Sequence, residues 1–439
     1  MADISGTVER YSLTRSRAPV TSVSRADRQM KALYTLSMIA VLGGLTFNAF
    51  LCFVNTRVLA IHDGTVMLGE LVFIGCASIV AMERKIGFYL AFGVFLAYMI
   101  FLFAMRHQAD PKAVRDVLIP FVFYCAGMRL ADIRLADKLV TISVIVVVIV
   151  GLFEYLATDV YLDYFNVLGY YLSRGSLTLK ETFGHTRGLF VSGLRPEPRN
   201  ILPFLGQQRV SSVFLEPVSI GNFGVIVYAW TLYRKDMRWR WMTMLGGLST
   251  IVMADARFGL YTIGLMTLLY PVYHLIARQI WLSLPFLMLA ILAIYGIESG
   301  TNGGPDNLVG RLQVTAHILT KLSSGVVFGS EVTDQFVSDS GLAYTLTQFG
   351  LIGFIGLWGL FVFLPVRTPK AWTFHSMAIL YFLLLLIISN SGYSIKTAAL
   401  FWFILGTSNA GIKQIGPEPK AQSPAQDLSE RPGPRSVAS

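Results

Sequence analysis

The segment Arg209, Val210, Ser211, Ser212, Val213, Phe214, Leu215, Glu216, Pro217 sets a guanidinium, two hydroxyls and a carboxylate directly ahead of an apolar run that begins near Val218. Pro217 suits the first turn of a helix, where its missing N–H is no loss, and Glu216 would sit beside the positive helix terminus. Capping alone accounts for that pair. The same pattern also offers orphan N–H groups and a forked guanidinium to a diphosphate, with a carboxylate near enough to accept a proton. Other cations stand where apolar runs end: Arg115 beside Asp116, Arg257 two residues after Asp255, and Lys396 after the polar run from Ser389 to Ser394. Gly310 and Arg311 lie in a long polar connection. Any one of these charges can snorkel without a role. As a group they call for an anion, and a phosphate at the membrane surface would answer.

The elements that must position these groups are membrane spans. Of the 439 residues, 54% are hydrophobic and only 14% charged, against roughly 25% charged in a soluble domain. A span needs about 20 mainly apolar residues. Such windows centre near residues 44, 73, 96, 122, 148, 226, 247, 268, 289, 353, 381 and 404, which predicts an all-α polytopic membrane protein of about twelve transmembrane helices. The first 31 residues are basic, and the run from Leu33 to Val54 is too long for a signal-peptide core and lacks a small-residue cleavage site. It reads as a retained first span entered from the cytoplasm. Counting from there, the cytoplasmic loops carry Arg84, Lys85, Arg129, Arg134, Lys138, Arg234, Lys235, Arg238, Arg240, Arg278, Arg367 and Lys370 against Glu83, Asp132, Asp137 and Asp236. That bias follows the positive-inside rule and places both termini in the cytoplasm. The net charge of +10 is thereby a topological signal, and nucleic acid is not expected as a partner.

Residues 1–31 thus form a cytoplasmic basic segment, 32–412 the transmembrane domain, and 413–439 a tail rich in Pro, Ser, Gln, Glu and Lys that is expected to be disordered. Two long connections, about 158–211 and 298–340, face outward, into the periplasm if the membrane is a bacterial inner membrane. Loops of such length in a compact chain are usually functional or disordered. The first opens with an aromatic stretch from Tyr161 to Leu172 that predicts a short interfacial helix, either an anchor or a platform for stacking sugars. Three prolines predict an extended path from Leu194 to Pro203. In the second, residues 311–322 read as a helix carrying His317. Cys52, Cys76 and Cys125 all fall in apolar runs, so neither a disulfide framework nor a metal cluster is expected. No phosphate-binding G-x-x-x-x-G-K-[ST] loop and no H-E-x-x-H pattern occur, and no cofactor or metal is expected.

The series R-x-S-S-x-F-x-E-P, the Ala254-Asp255-Ala256-Arg257 turn and the Gly310–Arg311 pair resemble, in their order, the Wzy-type polysaccharide polymerases, and the order from Gly188 to Glu216 with the closing Ser389 to Lys396 segment most resembles their xanthan-type exopolysaccharide members. Wzy-type polymerases belong with the O-antigen ligases to one superfamily of GT-C-like membrane enzymes. The resemblance extends over about residues 30–410. It implies a glycosyltransferase that joins oligosaccharide repeats carried on undecaprenyl diphosphate, at the outer face of the membrane, with no nucleotide or metal. A chain-length regulator and export machinery are the partners such an enzyme would meet. Arg209, Glu216, Arg257 and Asp339 become the catalytic candidates, and Arg209, Arg257, Arg311 and Lys396 the diphosphate ligands. His317 and Arg115 are secondary candidates.

One departure from the family stands out. Many members carry a His-Asn pair about eleven residues before a glycine in the span after the second long loop, whereas here that spacing from Gly350 falls on Asp339 and Ser340. A carboxylate replaces an imidazole. Three rival readings stay open at this point: a ligase that moves a finished glycan from the same carrier, a transporter or flippase of lipid-linked sugars, and a non-catalytic export scaffold. Transporters usually hold coupling charges at the midplane, and here Glu70 is the one acid well inside an apolar run.

Overall fold

The computed structural model describes residues 25–82, 86–178, 187–194, 199–299, 308–333, 337 and 340–411. Among them the secondary structure is helical, with one isolated antiparallel bridge between Leu194 and Gln208. Seven helices are long and apolar enough to cross a membrane. They are α1 (Arg25–Arg57), α2 (Asp63–Ala81), α3 (Ile86–Arg106), α5 (Ile133–Leu156), α11 (Arg278–Ser299), α14 (Gly341–Phe363) and α15 (Pro369–Ile388). The chain is an all-helical, polytopic membrane protein. Helix α1 starts at Arg25, so the first helix extends into the basic N-terminal segment. The segments 1–24 and 412–439, including the expected tail, lie outside the described residues.

The five remaining apolar windows also fall on helices: α4 (Pro111–Leu130), α8 (Pro217–Tyr233), α9 (Arg240–Met253), α10 (Arg257–Leu269) and α16 (Ile395–Ala410). The last four have 17, 14, 13 and 16 residues. At 1.5 Å per residue they reach about 20–26 Å, short of a hydrocarbon core about 30 Å thick. Every residue of α16 is buried, and α8 is buried over most of its length. A helix apolar on all sides belongs inside a bundle. Helix α16 accordingly packs on α4, α1, α15, α5 and α8.

Contact between α4 and α16 is backbone to backbone. A Cβ on Gly127 would stand 2.1 Å from the Phe403 carbonyl oxygen, and one on Gly406 would stand 2.1 Å from that of Tyr124. Small residues allow this approach, which is how helices associate where no hydrophobic drive acts between them. Beside the crossing, His375 is hydrogen-bonded through Nε2 to the Phe361 carbonyl at 2.9 Å, and its Nδ1 lies 2.9 Å from the Asn409 amide nitrogen. Gly406→Ala should therefore lower stability by about 1–3 kcal/mol, the usual cost of overpacking, and Gly406→Leu should prevent assembly. Thermal melting and size-exclusion profiles in detergent measure both; a Leu variant that melts like the wild type would contradict this packing.

The loops that carry the positive bias meet at one end of the bundle. There Arg234 pairs with Asp137 at 3.1 Å, Lys370 with Asp236 at 3.5 Å, and Arg129 donates to the Val80 carbonyl at 2.9 Å. The other end gathers the N-termini of α2, α4, α8, α10, α16 and α12 (Leu308–Thr320) with the C-termini of α5, α9 and α15. Six helix N-termini bring a positive potential to that end.

The first long connection differs from its expected form. In place of one helix there are two, α6 (Thr158–Tyr164) and α7 (Val167–Ser173), separated at Phe165 and Asn166. Asn166 caps the second through a hydrogen bond from the Gly169 amide at 2.9 Å. Three of the aromatic residues face inward: Tyr161, Tyr170 and Tyr171 are buried, and the Tyr170 hydroxyl reaches Asn48 on α1 at 2.9 Å, while Tyr164 is exposed. The stretch expected to be extended up to Pro203 closes in a 3₁₀ turn, Pro203–Leu205, entered through Leu202 at φ +56°. In the second connection, α12 covers most of the predicted helix and is followed by the short α13 (Ser324–Phe328).

Candidate functional site

A cavity of about 650 Å³ lies at the end where those helix N-termini converge. Arg115, Arg209, Glu216, Arg257, Arg311 and Lys396 all line it. These six come from α4, the first long connection, α10, α12 and α16, so sequence positions almost 300 residues apart share one wall. His317 does not line the cavity; it sits half-buried on α12, nearly two turns beyond Arg311. Asp339 lies outside the described residues.

The segment around Arg209 is held rigidly from both sides. Its amide donates to the Gly193 carbonyl at 2.8 Å, and the next amide, of Val210, donates to the Met253 carbonyl at 3.0 Å. The guanidinium donates through Nε to the Ala254 carbonyl at 2.9 Å and through Nη1 to that of Ser192 at 3.4 Å. Arg209 therefore ties the first connection to the α9–α10 turn that carries Arg257. Opposite, the buried Glu154 carboxylate accepts the Ser211 amide at 3.0 Å and the Ser212 amide at 2.5 Å. Ser212, at φ +50°, also donates its hydroxyl to the Val147 carbonyl at 2.7 Å. Val210, Val213, Phe214 and Leu215 are buried between these anchors. The two serines are thus structural pins for the loop.

Glu216 stands at the N-cap position of α8, yet its side chain makes no capping hydrogen bond. It accepts instead from the Tyr171 hydroxyl at 2.5 Å and the Ser219 hydroxyl at 3.1 Å, and it pairs with Lys396 Nζ at 3.1 Å. Lys396 also donates to the Phe214 carbonyl at 3.2 Å. Burial pushes the Glu216 carboxyl up, but the Lys396 ammonium and the hydroxyl donors more than offset it and hold the group below the usual carboxylate range. The Tyr171 phenol is raised well above its ordinary value by burial and by the adjoining carboxylate, so it stays protonated and donates. Glu216 is consequently a fixed anion at neutral pH, suited to receiving a hydrogen bond more than to removing a proton.

A second cluster lies across the cavity. Arg115 bridges Glu70 at 2.5 Å and Asp116 at 2.7 Å, and the Tyr344 hydroxyl donates to the far oxygen of Asp116. Glu70 is thus a wall residue of the cavity and not an isolated midplane charge. Arg174 pairs with Asp63 at 2.8 Å and lies over the Tyr170 and Tyr171 rings at 5.3 and 5.6 Å. The lining cations Lys112, Arg115, Arg174, Arg209, Arg257, Arg311 and Lys396 outnumber the lining acids Asp63, Glu70, Asp116, Glu216 and Asp255. Neutral polar groups complete the wall: Asn222 donates to the Ser391 hydroxyl at 2.8 Å, beside Ser389 and Asn390. Among the described residues, no three His, Cys, Asp or Glu side chains come together as a metal ion requires.

Tyr171, Arg174 and the anchoring role of Glu154 escape sequence reasoning. Tyr171 reads as one aromatic in the stretch from Tyr161 to Leu172. The basic residue Arg174, one position past α7, was the available signal. No protein-family model, curated protein or solved structure matches the chain.

Proposed function

We propose that the chain is a membrane glycosyltransferase that polymerises oligosaccharide repeats carried on undecaprenyl diphosphate into exopolysaccharide, at the outer face of a bacterial inner membrane. In this reading it spans the membrane twelve times, with both termini in the cytoplasm and the cavity facing outward. The observation that supports it most is the convergence of Arg209, Glu216, Arg257, Arg311 and Lys396 on one cation-rich cavity at the end of the bundle opposite the basic loops.

The chemistry suits such a cavity. The hydroxyl oxygen at the non-reducing end of an incoming repeat attacks C1 of the growing chain's reducing-end sugar. The bond from C1 to the diphosphate oxygen breaks, and the carrier diphosphate leaves with the electron pair. Negative charge therefore develops on the diphosphate, where pre-positioned guanidinium groups stabilise it and no proton is needed by the leaving group. Arg257 and Arg311 are the ligands proposed for it, with Arg209 positioning the Arg257 turn and Lys396 adding charge from the cavity wall. Glu216 orients the attacking hydroxyl, and Asp339 accepts its proton.

Reconstitution tests this reading. Purified protein in liposomes, given one lipid-linked repeat and no nucleotide, is expected to produce a ladder of longer lipid-linked glycans; unchanged single repeats would count against a polymerase. The topology is tested separately, by Cys substitution in a background without the three native cysteines. Arg187→Cys should react with a membrane-impermeant maleimide in intact spheroplasts, and Arg238→Cys only after permeabilisation. The reverse pattern would overturn the orientation.

A further inference from the structure

A second, apolar opening runs down the bundle beside the cavity. It is a groove of about 370 Å³ between α3, α4 and α14, floored by α15 and α16. Its lining on α14 extends from Thr345 to Phe361, about 24 Å at the helical rise and most of the thickness of a hydrocarbon core. Val94 and Ile352 in its lining are exposed, so it opens sideways toward lipid. Helix α3 stands away from the bundle and is attached at few points. Phe92 stacks on Phe121 at 5.6 Å, Tyr98 donates to the Phe349 carbonyl at 2.6 Å, and Arg106 donates to the Gly329 carbonyl at 2.8 Å and that of Gln348 at 3.1 Å. The polar contacts surround Gly350, where α14 breaks at φ +65° and its carbonyls need outside donors.

The groove adjoins the charged cavity. Tyr393 lines both. Its hydroxyl lies 2.8 Å from Thr345 Oγ1, at the top of the groove, and the neighbouring Tyr344 bonds Asp116 in the cavity wall. Lys112 lies over the Tyr344 ring at 5.5 Å and Arg115 follows within a turn, so two cations stand where the apolar path meets the polar one. We infer that this groove holds the polyprenyl chain of a lipid carrier whose diphosphate sits in the cavity. A diphosphate suits the cation-rich chamber, while a single flexible hydrocarbon chain suits a narrow apolar track that reaches the bilayer. The inference rests on the carrier chemistry proposed above.

Gly356 gives the means to test it. It faces the groove, and a Cβ there would meet no atom within 4 Å, so Gly356→Phe fills the groove without displacing the backbone. Gly75 on α2 is equally open and lines neither cavity nor groove, so Gly75→Phe serves as control. Full-length protein in detergent is titrated with inorganic diphosphate and with a long-chain polyprenyl diphosphate. Wild type and Gly75→Phe are expected to bind the polyprenyl ester at least about 30-fold more tightly, since each buried methylene adds to affinity. Gly356→Phe should lose at least about 10-fold of that gain and keep its affinity for inorganic diphosphate. Ile352→Trp, one turn away, should behave likewise if the Phe variant does not fold. Unchanged affinity in a folded groove variant, or displacement by phosphatidylglycerol as effective as by the polyprenyl ester, would overturn the inference. Equal binding of the two diphosphates by wild type would remove the groove assignment alone; binding of neither would remove the carrier reading as well.

Discussion

Arg257→Ala is expected to stop polymer formation, with a fall of at least 100-fold in glycan elongation, the scale seen when one pre-positioned donor to a developing anion is lost. Arg257 is the first residue of α10, so its guanidinium projects into the cavity from a helix N-terminus that adds to the positive field. The α9–α10 turn is also held by Arg209 on the Ala254 carbonyl and by Asp255 accepting the Ile201 amide at 2.7 Å. The variant should therefore fold. Arg257→Lys should recover only part of the rate, because an ammonium cannot engage paired phosphate oxygens as a planar fork does. Arg209→Ala should be as inactive for a different reason: it releases the turn from the first connection as well as removing charge, so its melting temperature should fall further than that of Arg257→Ala. Normal elongation by a well-inserted Arg257→Ala protein would remove Arg257 from the site.

Lys396→Met carries the second large effect. It leaves the Glu216 carboxylate without its cation and the Phe214 carbonyl without its donor. Breaking one side of a buried pair costs roughly 3–5 kcal/mol, and the 29% exposure of the Glu216 side chain argues for the lower end. The pH dependence should change with it. In wild type the Glu216 value lies below that of an unfolded Glu, about 4.3, so its contribution is complete above that pH and lost as pH falls through the lower folded value. Without Lys396 the largest opposition to burial is gone and the carboxyl rises, so activity that needs the anion should fail at higher pH as pH falls, while the acid-side loss of stability seen in wild type should shrink or reverse. Melting temperature and elongation rate measured from pH 4 to 8 in both proteins test this. Superimposable profiles would show that the pair does not control the charge of Glu216.

Much of the scaffold was legible in the sequence because lipid leaves few solutions: each of the twelve apolar windows coincides with a helix. Helix lengths were less legible. The polar Asp255 turn ends α9 and begins α10, and the packing of α8 on both and of α5 on α9 is a tertiary fact. At the site, the cations could be named from their places at span ends, since cations there run against the usual charge bias. Their partners could not. Glu70 and Arg115 are 45 residues apart, Tyr171 and Glu216 likewise, and only the fold brings them within hydrogen-bond reach. Glu216 shows the limit well: Pro217 after an acid reads as a cap, but the carboxylate turns away from the helix terminus toward Lys396 and Tyr171. His317 read as a possible base because imidazole chemistry attaches to the residue type, whereas its helix places it beyond the cavity wall.

The composition of lipid-linked glycans in a strain lacking this protein tests the proposed activity most directly. Single repeats on undecaprenyl diphosphate, accumulating in the outer leaflet and converted to polymer when the wild-type protein is restored, are the predicted result. Full-length chains left on the carrier would instead indicate a ligase, and repeats confined to the inner leaflet a flippase; either would contradict a polymerase.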